Sequence, residues 1–99
     1  MANKIAYQDY LIESLKDPVE ASGYLNAALE GGSIEVFLLA LHNVVQAQGG
    51  VSKLAEKANK SRASLYKTLS KKGNPYLKST HEILSALGLH LAVLPSRLQ

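Results

Sequence analysis

Residues 51–70, VSKLAEKANKSRASLYKTLS, carry two short apolar periodicities interrupted at Asn59-Lys60-Ser61. Leu54, Ala55 and Ala58 recur at helical spacing before the interruption, and Leu65 and Leu69 after it. The spacing predicts two short helices, over 51–58 and 62–70, packed through these residues. Where such helices cross, a small side chain is needed, and Ala55 supplies it. The chain must then turn sharply at Asn59, one of the few residue types other than glycine that tolerates a left-handed backbone. Ser61 can cap the second helix. Two short helices joined this way, with the second free to project, make a helix-turn-helix.

Positive charge gathers on the same segment. Five of the chain's 11 lysines and arginines lie within residues 51–70, and Lys71 and Lys72 follow directly. With Leu65 and Leu69 turned inward, Arg62, Ala63, Tyr66 and Lys67 face outward and Ser64 sits at the edge. These types suit a DNA groove. Arginine can bind guanine bidentately, alanine permits close approach to a base edge or thymine methyl, and tyrosine or lysine can hold phosphates. Lys53, Lys57, Lys60, Lys71 and Lys72 would flank that groove. The competing reading is a two-helix corner of an ordinary bundle whose lysines keep it soluble. Charge distribution argues against it. Residues 1–48 carry Lys4 and Lys16 against six acidic residues, net −4, whereas residues 49–99 carry nine basic residues against Glu56 and Glu82, net +7. A bipolar chain of this kind points to a polyanionic partner for one end.

Helix signals organise the remainder. Asp17-Pro18-Val19-Glu20 has a cap, a first-turn proline and an acidic third position, so a helix begins there, with Ala21, Tyr24, Leu25, Ala28 and Leu29 on one face and Gly31-Gly32 as its stop. Ser33 caps the next, whose stripe of Ile34, Phe37, Leu38, Leu41, Val44 and Val45 ends at Gly49-Gly50. Gly73-Asn74-Pro75 breaks the chain. Ser79 and Glu82 have capping-box spacing and predict a helix with Ile83, Leu84 and Leu87 inside and Gly88 as its stop. LHLAVL, residues 89–94, reads as a strand ended by Pro95. Upstream, Tyr7, Tyr10, Leu11 and Leu15 belong to a short helical or extended arm.

Several chemistries find no support. There is no cysteine, hence no thiolate catalysis or disulfide, which fits a reducing compartment and a cytoplasmic location. His42, His81 and His90 lack metal-ligand spacing. Ser64-Leu65-Tyr66-Lys67 matches a Ser-x-x-Lys frame, but no second catalytic motif follows, so no enzyme is expected. No cofactor is expected either: the glycine pairs lack a preceding strand and the phosphate-loop lysine. The longest apolar runs, 36–41 and 91–95, are far below the roughly 20 residues of a membrane span, and MANKIAYQDY has no apolar signal core.

Four stretches carry a family resemblance: LKDPVEASGYLNAALEGG (15–32), GVSKLAEKANKSRASLYKTLS (50–70), GNP (73–75) and ALGLHLAV (86–93). Together they resemble the helix-turn-helix antitoxins of bacterial addiction modules, related to the phage-repressor-like (Xre) DNA-binding domains. The resemblance implies an all-α, five-helix lambda-repressor-like domain over residues 17–99, with a short C-terminal β-strand and an amino-terminal arm or short helix over 1–16. In that family the recognition helix opens with a serine-arginine pair, which maps onto Ser61 and Arg62, followed by Ser64, Leu65, Tyr66 and Lys67. It further implies a protein that represses its own promoter and neutralises a small ribonuclease toxin resembling RelE and HigB; a toxin that cleaves RNA must have a basic surface, and LHLAVL, too apolar for a bare edge strand, points to a homodimer. Three positions depart from the family pattern: Asn59 stands for a turn glycine, Lys60 for an apolar residue, and Ala63 for an acidic one. Operator preference therefore does not carry over. The acidic arm, with Tyr7, Asp9, Tyr10, Glu13, Asp17 and Glu20, has the charge to cover a basic toxin. A stand-alone repressor, a toxin-sequestering protein without DNA binding and an RNA-binding helical module are the alternatives.

Overall fold

The computed structural model describes residues 4–70 and 74–96. Six helices follow in order: α1 (Lys4–Ser14), α2 (Pro18–Glu30), α3 (Ile34–Ala47), α4 (Val51–Ala58), α5 (Arg62–Leu69) and α6 (Leu77–Ala86). Three begin on the caps that the sequence predicts. The Asp17 carboxylate accepts the Val19 N–H at 2.9 Å, Ser33 Oγ accepts that of Val36 at 3.3 Å, and Ser61 Oγ accepts that of Ser64 at 3.1 Å. Each satisfies a backbone donor that the first helical turn leaves without an internal partner.

Helix α3 is the hub, packing against α1, α2, α4 and α5, while α4 also contacts α6. Its Leu38, Leu41 and Val45 are wholly inaccessible to solvent. Around Leu41 and Val45 close Leu15, just past the end of α1, Leu25 from α2, Leu54 from α4, Leu65 from α5 and Ile83 and Leu84 from α6. Each buried leucine contributes about 1.5–3 kcal/mol of transfer free energy, which holds the two eight-residue helices to the body. Leu11 and Ile12 pack against the same core. The amino-terminal segment is therefore a helix that shares the core of the rest.

The structure corrects four expectations. First, there are six helices rather than five, the sixth being α1. Second, residues 89–94 form no strand; no strand occurs among the described residues. A strand requires a neighbour for its backbone groups, and among the described residues this segment has none: it borders a cleft lined by Leu25, Leu29, Phe37 and Leu84, with Val93 97% exposed. Third, α6 starts at Leu77 and not at a Ser79 cap; Tyr76 precedes it without a side-chain cap bond. Glu82, the expected partner in that capping box, is engaged instead by Lys60 at 2.9 Å. Fourth, Leu29 and Ile34, expected on the buried faces, are about half exposed, at 48% and 50%; they lie in the last turn of α2 and the first turn of α3.

The helix stops fall where glycine and asparagine predict them. In α6, Gly88 has φ +82°, its N–H reaches Ser85 O at 3.0 Å, and that of Leu89 reaches Leu84 O at 2.8 Å. This is a Schellman closure.

Candidate nucleic-acid interface

The α4 and α5 helices are closed against each other by one residue. Asn59 has φ 55° and ψ 48°, the left-handed conformation, and is the only non-glycine with positive φ among the described residues. Its N–H bonds Glu56 O at 3.3 Å and the next, from Lys60, bonds Ala55 O at 3.0 Å. The Schellman pattern of α6 is thus repeated with asparagine in the glycine position. Such a motif ordinarily adds an apolar contact between its ends. Here that end is Lys60, and its Nζ reaches across to Glu82 of α6. The turn is held to α6 by an ion pair.

That pair has a measurable electrostatic signature. The hydrogen bond from Lys60 holds the Glu82 carboxyl below its ordinary value of 4.5. Partial desolvation opposes it, while the charges of Lys60, Lys78 and His81 add to the lowering.

Helix α5 buries Leu65 and Leu69 and exposes Arg62, Ala63, Ser64, Tyr66 and Lys67. These exposed residues form a ridge, as helical spacing predicts, with Tyr66 60% accessible. Ser61, capping the helix, is also exposed. On one flank Arg62 Nη1 donates to Ser52 Oγ at 3.4 Å, over a depression shared with Ala55, Glu56 and Lys60. On the other, Ser64, Lys67 and Thr68 border a second depression with Asn74, Pro75, Tyr76 and Ser79.

The cations are distributed unevenly. Lys53 and Lys57 are exposed on α4 but, by helical spacing, lie on the flank away from Ser52 and Glu56. The Lys53 stem lies close over Gly49, where an added Cβ would meet its Cδ at 2.6 Å. Lys60 is about a quarter exposed and already paired. Lys71 and Lys72 lie outside the described residues.

The family description "probable addiction module antidote protein" matches residues 5–95. An uncharacterized protein of Haemophilus influenzae is 38% identical over 85 residues, covering 86% of this chain and 87% of its own length. The chain belongs to the probable addiction module antidote family. An antidote implies a toxin as its partner. No solved structure matches the chain.

Two residues of this antidote's α4–α5 surface escape sequence reasoning. Ser52, which meets the Arg62 guanidinium, stands ten positions away in another helix, so no local pattern marks it. Glu56 is the acidic residue beside Arg62. Its i, i+4 spacing from Ser52 puts both on one flank, which the helical wheel of 51–58 does contain.

Proposed function

We propose that this antidote is a helix-turn-helix antitoxin that acts as a cytoplasmic homodimer. It binds operator DNA through α5, represses its own operon, and neutralises a small basic ribonuclease toxin resembling RelE and HigB. One observation carries the DNA-binding half: α5 is anchored by Leu65 and Leu69 while Arg62, Ala63, Tyr66 and Lys67 remain exposed beside a left-handed Asn59 turn. The mechanism is binding without chemistry. Arg62 is the base-reading residue, with a fork that fits guanine O6 and N7. It gives up its long bond to Ser52 when it does so. Ala63 keeps the ridge low enough for close approach, while Tyr66, Lys67, Lys53 and Lys57 contact phosphate. Lys60 serves this surface indirectly, by fixing the turn to α6.

The toxin half rests on the family and on the acidic amino-terminal half. If the two roles use separate surfaces, the double variant Arg62→Ala with Lys67→Ala abolishes repression of a promoter reporter yet still protects cells that express the toxin from the adjoining reading frame. Loss of protection by a folded double variant would show that one surface serves both partners. Retained repression would remove α5 as the operator-binding element.

A further inference from the structure

Residues 89–96 run without helix, turn or bend after the closure of α6. The Leu89 N–H still reaches Leu84 O, but from His90 to Leu94 no backbone or side-chain group makes a hydrogen bond with any described residue. The same stretch is apolar and open to solvent. Val93 is 97% exposed and Leu94 81%, and Leu91, Ala92 and Leu94 border a cleft of about 170 Å³ whose helical lining is Leu25, Leu29, Phe37 and Leu84.

A run of unpaired N–H and C=O groups is a template for another chain, and proteins that stay single guard it with lysine, an inward-pointing charge or a covering element. This segment has no such guard. From Ile83 to Ser96 there is no Asp, Glu, Lys or Arg, and none lines the cleft. Pro95 ends the run and removes one donor, while His90 to Leu94 keep theirs.

Charge and backbone together choose the occupant. Elsewhere the surface is bipolar: Asp9, Glu13, Glu20 and Glu35 are exposed on α1, α2 and α3, and Lys53, Lys57, Arg62 and Lys67 on α4 and α5. A two-fold axis through either region sets like charges against like. Through residues 90–94 it opposes none. DNA finds no lysine or arginine on this segment to neutralise its phosphates, and a strongly charged protein finds no opposite charge. The unmet backbone groups are the same in every copy, so two copies laid antiparallel supply each other's donors and acceptors. We infer that residues 89–94, with the cleft beside them, are the surface on which a second copy of this chain docks, the two segments hydrogen-bonded main chain to main chain. Val93 then packs against apolar side chains of the other copy. Within one chain the segment stays unpaired; the ladder exists only in the dimer. This rests on the homodimer reading above and adds its interface.

Sedimentation equilibrium and amide hydrogen exchange on the full chain, without added ligand, test it. Val93→Asp changes an exposed side chain, so the variant keeps the wild-type circular dichroism spectrum, yet its dimer dissociation constant rises at least about tenfold because a carboxylate enters an apolar interface from each copy. Val19→Asp, at a position 74% exposed in the first turn of α2 and outside the cleft, leaves that constant unchanged. In the wild type, alternate amides among residues 90–94 become protected as concentration rises through the dissociation constant. A dimer undiminished by Val93→Asp, one weakened equally by Val19→Asp, or one whose 90–94 amides exchange as freely as in the monomer overturns this surface and leaves the homodimer reading intact. A wild-type chain that stays monomeric at the highest concentration reached overturns both.

Discussion

Asn59 fixes where α5 points, and its backbone conformation allows a quantitative prediction. At φ 55° and ψ 48° it sits in the region where an L-residue brings Cβ toward the following carbonyl oxygen, at roughly 1–2 kcal/mol for an ordinary side chain. Asparagine pays less of this because its short amide tolerates the conformation. Asn59→Ala therefore loses about 1 kcal/mol, and Asn59→Val somewhat more because its branched Cβ is worse accommodated. Asn59→Gly removes the strain but loosens the unfolded chain, so the two effects nearly offset and stability changes by less than about 1 kcal/mol. For a domain of this size, 1 kcal/mol corresponds to about 4–8 °C in melting temperature. The expected order is therefore glycine and asparagine together, alanine roughly 4–8 °C below, and valine lowest, read by circular dichroism with urea denaturation as a second measure. An alanine variant as stable as wild type would mean that residue 59 is not left-handed in solution. The direction assigned to α5 would then fall with it.

Two further perturbations test other contacts. Leu15→Ala, at a position 1% exposed, costs about 2–5 kcal/mol in thermal or urea unfolding, because α1 closes the core rather than trailing from it; a near-wild-type melt would return the segment to the status of an arm. Lys60→Met removes the ion pair to Glu82, whose carboxyl titrates below its ordinary value in the folded chain. A depressed folded-state value stabilises the fold above the ordinary glutamate range, and that contribution disappears as pH falls through the depressed value. The melting gap between wild type and Lys60→Met should therefore be open at pH 7 and close in acid, and a gap that widens on acidification would exclude the pair as its source.

How far the sequence reaches can be followed residue by residue. Asp17, Ser33 and Ser61 cap the helices their positions predict, because a cap is a local bargain between one side chain and the next turn. Asn59, Gly32 and Gly88 adopt positive φ for an equally local reason. Leu54, Leu65 and Leu69 point inward as the period requires. Failures occur where a distant partner decides. Ser79 and Glu82 have the spacing of a cap, but Lys60, 22 positions earlier, takes Glu82 and the helix starts sooner. LHLAVL alternates enough to read as a strand, yet a strand is made by its neighbour and no described segment pairs with it. In the α4–α5 surface, exposed Arg62, Ala63, Tyr66 and Lys67 follow from the burial of Leu65 and Leu69, whereas the Arg62–Ser52 contact depends on how two helices cross.

The account turns on α5 as the surface that reads DNA, and the most direct measurement is fluorescence anisotropy on a duplex from the chain's own promoter and on a random duplex, at several salt concentrations. Arg62→Ala should weaken promoter binding by about 1–3 kcal/mol with little loss on random duplex, whereas Lys57→Ala should weaken both alike and reduce the salt slope by about 1. Equal losses on both duplexes for Arg62→Ala, or wild-type binding that does not distinguish promoter from random sequence, would contradict it.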